Sequence, residues 1–244
     1  MTTTDSTNGS RSCRPKGKNT VSTSPKTSAR RRIPKKSKPS DSRAVDVLFI
    51  SMPFGPLISP SLGLSLLKAC LTDSSITSEI KYFSFDYAMV CGFELYQNIA
   101  SYYPAMECLP GDWVFSNVCS SERSLNNDEL YIASVLNPFI DPAGADDFLG
   151  SLATMRADAE VFISQCADWV ESKNPTLVGL TTMFQQTSAS LALARELKRR
   201  CPDRVVVLGG SNCEGQMGKT LFQTFTYLDA VFSGYAEDVF VTFV

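Results

Sequence analysis

The stretch LVGLTTMFQQTSASLALARELKRRCPDRVVVLGG, residues 177–210, decides the fold. It holds two short, nearly continuous apolar runs, TLVGLTT (Thr176–Thr182) and RVVVLGG (Arg204–Gly210). Runs this short and this apolar are expected of strands covered on both faces rather than of a solvated edge. Between them Ser188, Leu191, Leu193, Ala194 and Leu197 recur at near-helical spacing, while Arg195, Glu196, Lys198, Arg199 and Arg200 supply the wet side. Cys201-Pro202-Asp203 stops that helix. Strand, crossover helix and strand make one unit of a parallel sheet, and such sheets bind ligands in the crevice outside the carboxyl ends of their strands.

Outward from this unit the same alternation continues. A first strand is expected at Val45–Ser51, followed by a Pro/Gly loop and a helix that starts near Ser59-Pro60-Ser61 and aligns Leu64, Leu67 and Leu71. A second strand is expected within Ser78–Tyr87, and a long amphipathic helix over Asp146–Lys173, with Phe148, Leu152, Met155, Phe162 and Trp169 on its buried stripe and Asn174-Pro175 at its end. A helix near Cys213–Phe225 leads into a fifth strand, Tyr227–Gly234. The pattern predicts an α/β fold: a flavodoxin-like, Rossmann-like, doubly wound sheet of five parallel strands in the order 2-1-3-4-5. The segment at about 88–142 interrupts the alternation as a helical, aromatic insertion. Its Tyr96, Tyr102, Tyr103, Trp113 and Phe115 suit either stacking on a ligand or, the commoner use, a satellite core.

Charge divides the chain. Residues 1–44 carry twelve Lys/Arg against Asp5 and Asp41, net +10; the remaining 200 residues carry 11 basic and 23 acidic groups, net −12. The first segment is rich in Ser, Thr, Pro, Lys and Arg and too poor in apolar residues to offset chain entropy, so it reads as a disordered basic tail ahead of one α/β domain, 45–244. Its RRRIPKKSK run suits a nuclear address, a grip on nucleic acid or simple solubilisation of an acidic domain. No run reaches the ~18–20 apolar residues of a membrane span, and no apolar run follows the basic residues to make a secretory signal; a cytoplasmic protein is expected. The eight cysteines show no CxxC spacing, which leaves zinc-ribbon and thioredoxin chemistry unsupported. With no histidine in the chain, Ser-His-Asp and Cys-His machinery and the common His-based metal sites are excluded.

Two motif readings fail. CEGQMGKT (Cys213–Thr220) is one residue from GxxxxGKT, but Gly209-Gly210 already end the strand several residues earlier, which puts Lys219 one or two turns inside a helix as an ordinary solvated side chain. GxGxxG is absent. What remains is four loops after strands: MPFGP (Met52–Pro56), TTMFQQTS (Thr181–Ser188), GGSN (Gly209–Asn212) and SGYAE (Ser233–Glu237). They offer glycines for close approach of a flat ligand and neutral hydrogen-bonding groups, a binding surface with no evident catalyst and no metal ligands.

In joint order, VLFISMPFGPLISPSLGLSLLKACL, VGLTTMFQQTSASLALARELKRRCPD, VVVLGGSNCEGQMG and LDAVFSG resemble the N-terminal cobalamin-binding domain of radical S-adenosylmethionine enzymes, nearest to the C-methyltransferases that mature ribosomally made peptides. The resemblance spans about Val45–Phe240. It implies cobalamin bound without a histidine ligand to cobalt, in a pocket lined by Pro53 and Phe54; Thr181, Thr182, Met183, Phe184, Gln185 and Gln186; Gly209, Gly210, Ser211 and Asn212; and Ser233, Gly234 and Glu237. The family's turn after the last strand is of Gly-Glu-Gly-Glu type; this chain has Gly234-Tyr235-Ala236-Glu237 and keeps only the outer two. The CxxxCxxC triplet that holds the family's iron-sulfur cluster is absent, so the radical step would require S-adenosylmethionine and a cluster supplied by a partner domain or subunit, with a peptide as methyl acceptor. The competing expectation is a non-catalytic signalling or interaction domain with a nucleic-acid-binding or solubilising tail.

Overall fold

The computed structural model describes residues 45–101, 103–119, 127–140 and 144–244. The basic segment 1–44 and Tyr102 lie outside the described residues, as does the side chain of Tyr103.

Five strands, β1 (Val47–Ser51), β2 (Ser78–Tyr82), β3 (Leu177–Thr181), β4 (Val205–Gly209) and β5 (Ala230–Val231), form a wholly parallel sheet in the order β2-β1-β3-β4-β5. This is the flavodoxin-like order. Period-two alternation gives the sheet two apolar faces. Leu48, Ile50, Val178, Leu180, Val206 and Leu208 face one core; Val47, Phe49, Leu177, Val205 and Val207 face the other.

The helices are α1 (Leu62–Cys70), α2 (Phe83–Cys91), α3 (Phe93–Ser101), α4 (Tyr103–Cys108), α5 (Pro110–Cys119), α6 (Asp128–Tyr131), α7 (Ala145–Lys173), α8 (Thr187–Arg200), α9 (Gly215–Thr224) and α10 (Glu237–Phe243). Leu64 of α1 and Phe240 of α10 belong to the second core, whereas α5, α7 and α8 bury their stripes in the first and α9 adds Leu221 and Phe222 to it. Local chemistry sets the ends. Ser61 caps α1 by accepting from the Leu64 N–H, and Asn174, in the left-handed region at φ 45°, ends α7.

The second strand lies within the expected Ser78–Tyr87, and the fifth is shorter than the expected Tyr227–Gly234. The second strand stops at Tyr82, and Phe83–Tyr87 open α2 instead, because a helix puts Phe83, Ser84, Tyr87 and Ala88 on one buried face where a strand would strand half of them. The fifth strand is confined to Ala230–Val231; before it, Asp229 turns its carboxylate onto the Val206 N–H (2.8 Å) and the Lys198 ammonium (3.0 Å).

The insertion packs as core. Tyr96 and Phe115 are buried with Phe54, Tyr87 and Phe162 in one aromatic cluster with ring centroids 4.6–6.4 Å apart. Trp113 is held between the Tyr131 ring, stacked at 5.3 Å, and the Arg156 guanidinium at 4.4 Å. Among the described residues no helix is long and apolar enough to cross a membrane.

Candidate functional site

At the carboxyl end of the sheet, on the face covered by α1 and α10, lies a cleft of about 430 Å³. Strand register explains the hollow. On this face Gly179 is paired between Phe49 and Val207, and one step nearer the strand ends Thr181 is paired between Ser51 and Gly209. Gly179 gives up its place in the layer to the Phe49 ring, 3.1 Å from where its Cβ would stand, whereas Gly209 leaves its place open, and the remaining space is walled by α1 (Leu62, Leu64, Leu66 and Leu67) and by the β5–α10 turn.

The last residue of β4, Gly209, and the glycine that follows it do different work. An added Cβ at Gly209 would meet only the Cβ of Phe232, at 3.7 Å, so this residue borders open space. Gly210 has φ 102°, and a Cβ there would collide with the carbonyl oxygen of Thr182. The β4 turn is thus locked by Gly210, while Gly209 leaves room.

Of the residues singled out from the sequence, Thr181, Gly209, Gly210, Ser211, Gly234 and Glu237 line this cleft. The others do not. Phe54 is buried in the aromatic cluster, and Pro53 is buried beside it in the β1 loop. Thr182 is buried and donates to the Gly209 carbonyl at 2.9 Å. Gln185 and Gln186, both buried, act as clamps: Gln185 accepts from the Gly111 N–H and donates to the Ile99 carbonyl, each at 2.6 Å, and Gln186 donates to the Met52 carbonyl at 2.6 Å. Met183 and Phe184 are exposed on the β3–α8 loop, with Phe184 at φ 48° and its carbonyl accepting from Asn212 at 2.7 Å. Ser233 accepts from the Gly215 N–H at 2.8 Å, tying the β5 turn to α9.

Reading the loops alone misses the α1 wall, Gly179, Glu214 and Phe240, whereas Tyr235, within the SGYAE loop, does line the cleft. A signal for the wall existed: SLGLSLLKACL carries more leucines than one buried stripe needs, and Leu62 and Leu66 are accordingly exposed toward the cleft.

Chemically the cleft is lined mostly by apolar side chains, with Glu214 and Glu237 as its charged residues. Burial pushes the nearby Cys213 thiol up to about 11, so no thiolate is presented there at neutral pH. Among the described residues no three His, Cys, Asp or Glu side chains gather to hold a metal ion. Lys219 lies exposed in the second turn of α9, six residues past the end of the 3₁₀ turn Ser211–Cys213 that follows β4, so CEGQMGKT does not cradle phosphate as a strand-end loop would. The α8 amino terminus is also taken: Asp112 of the insertion accepts from the Ser188 N–H at 2.6 Å.

Compared with known proteins, the chain matches no family model, no curated protein and no solved structure.

Proposed function

We propose that residues 45–244 form a cobalamin-binding module of a system like the radical S-adenosylmethionine C-methyltransferases that mature peptides, with the cluster and S-adenosylmethionine supplied by another domain or subunit. The observation that carries this reading is the glycine-floored apolar cleft at the carboxyl edge of the sheet, between α1 and α10. Its volume, about 430 Å³, falls in the range of small-molecule sites and suits the nucleotide tail of a corrinoid, with the wider ring resting on the loops outside.

The residues fit such a group. Gly209 opens the floor, Leu62, Leu66 and Leu67 offer apolar contact to an aromatic base, and Ser211, Glu214 and Glu237 offer polar groups to the amide side chains of the corrin. The absence of histidine leaves the cobalt without an imidazole from this chain. When bound, cobalamin supplies the methyl-transfer chemistry; the protein's part is to hold it, orient it and exclude water.

The test is retention of hydroxocobalamin by the full chain after desalting, read from the visible spectrum. Corrin bands at close to one equivalent are expected. A folded but colourless protein overturns the reading and leaves a signalling or interaction domain of the same fold.

A further inference from the structure

Tyr235 is the one large side chain of the cleft that packs on almost nothing. It lines the cavity yet is 97% exposed, on a turn held at both ends. Ser233 fixes the start through its 2.8 Å bond from the Gly215 N–H, and Ala236 fixes the end, its carbonyl accepting from the Phe240 N–H at 2.7 Å in the first turn of α10. Between the pins stand only Gly234 and Tyr235. Gly234 has φ 75° and open space where a side chain would be, a backbone turn that most other residues resist.

An aromatic ring left in water at the mouth of an apolar slot loses the burial that would stabilise it, so its placement contributes little to the fold. On the α1 wall of the same cleft Leu62 and Leu66 are likewise exposed, at 72% and 41%. Apolar groups on two sides of an open slot, one of them carried on a glycine turn, describe a site that becomes buried only when filled.

We propose that Tyr235 is a ligand-covering residue: its ring closes over the mouth of the cleft and stacks on the heteroaromatic base of the nucleotide tail held between α1 and the sheet. This rests on the corrinoid reading of the cleft and adds to it a side chain specific to this chain's Gly234-Tyr235-Ala236-Glu237 turn. It makes the site selective for ligands that carry a planar base.

The experiment compares equilibrium binding of hydroxocobalamin and of cobinamide, which lacks the base, to the full-length chain and its Tyr235→Ala and Tyr235→Phe variants, by dialysis and absorbance. Because Tyr235 is exposed, all three proteins are expected to fold with the same melting temperature. The inference expects Tyr235→Ala to weaken cobalamin binding about tenfold or more, Tyr235→Phe to restore it, and cobinamide to bind all three alike. Cobalamin affinity unchanged in Tyr235→Ala overturns the covering role while leaving the corrinoid reading intact. An equal loss for cobinamide overturns the assignment to the base. No cobalamin binding by the unaltered chain overturns the reading of the cleft, and the role of Tyr235 with it.

Discussion

Two adjacent glycines show how differently one residue type acts within a single turn. Gly209 faces the cleft in ordinary backbone geometry with only Phe232 nearby, whereas Gly210 occupies the left-handed region against the Thr182 backbone. Gly209→Leu is expected to fill the slot, abolish corrinoid retention and leave stability within about 1 kcal/mol, since it places a side chain where there is space. Gly210→Ala is expected to cost about 2 kcal/mol or more through its positive φ and its collision, which denaturant unfolding will read as a lowered midpoint. The same distinction separates the polar residues. Thr182, Gln185 and Gln186 carry groups suited to a ligand, but each spends them on backbone partners within the protein. Composition alone gives no hint of that, because the partners Gly111 and Ile99 lie 74 and 86 residues away in sequence.

At the scale of elements, the insertion is fastened to the sheet through α5 and α8. Asp112 accepts from the α8 amino terminus, and burial, opposed by its bonds from Ser188 and Thr187, raises its carboxyl above the usual carboxylate range. Because the folded state holds this proton more tightly than the unfolded chain, the group's contribution is complete below its unfolded pKa near 3.8 and declines as pH rises through the raised folded value. Asp112→Asn, which keeps an acceptor and cannot ionise, is therefore expected to flatten the fall in stability with rising pH above about pH 4; Asp112→Ala leaves the Ser188 N–H without its side-chain cap and is expected to lose roughly 1 kcal/mol at all pH values. Urea unfolding across pH 4–8 distinguishes the two. Elements with a clean period were legible in the sequence: β1, β3 and β4 through continuous apolar runs, and α1, α7 and α8 through their stripes and stops. Phe83–Tyr87 were not, because alternating aromatics satisfy a strand and a helix start equally until the core shows which face is covered. Nor was the cleft's floor, since Gly179 within LVGLT reads as one more strand residue until pairing sets it beside Phe49 and Val207.

For the molecule as a whole, charge is the organising fact. In the folded domain Lys81, Arg156, Lys173, Lys198, Arg199 and Arg200 all sit in ion pairs, and the 200 residues from Val45 onward carry net −12. Any affinity for polyanions is therefore expected to reside in residues 1–44. Deleting them moves the net charge from −2 to −12 and should abolish retention on heparin or DNA, while leaving the urea midpoint and corrinoid retention of the domain unchanged. Polyanion binding that survives the deletion would place it on the domain instead. The 29-residue helix α7 has a consequence of a different kind. Its Arg156 clasps Trp113 and Asp128 of the insertion, its Phe162 enters the aromatic cluster, and its carboxyl end runs through Asn174 into β3. A single unbroken rod shared by both packing regions gives neither a joint at which to part from the other, so insertion and sheet are built to melt together, as one cooperative unit.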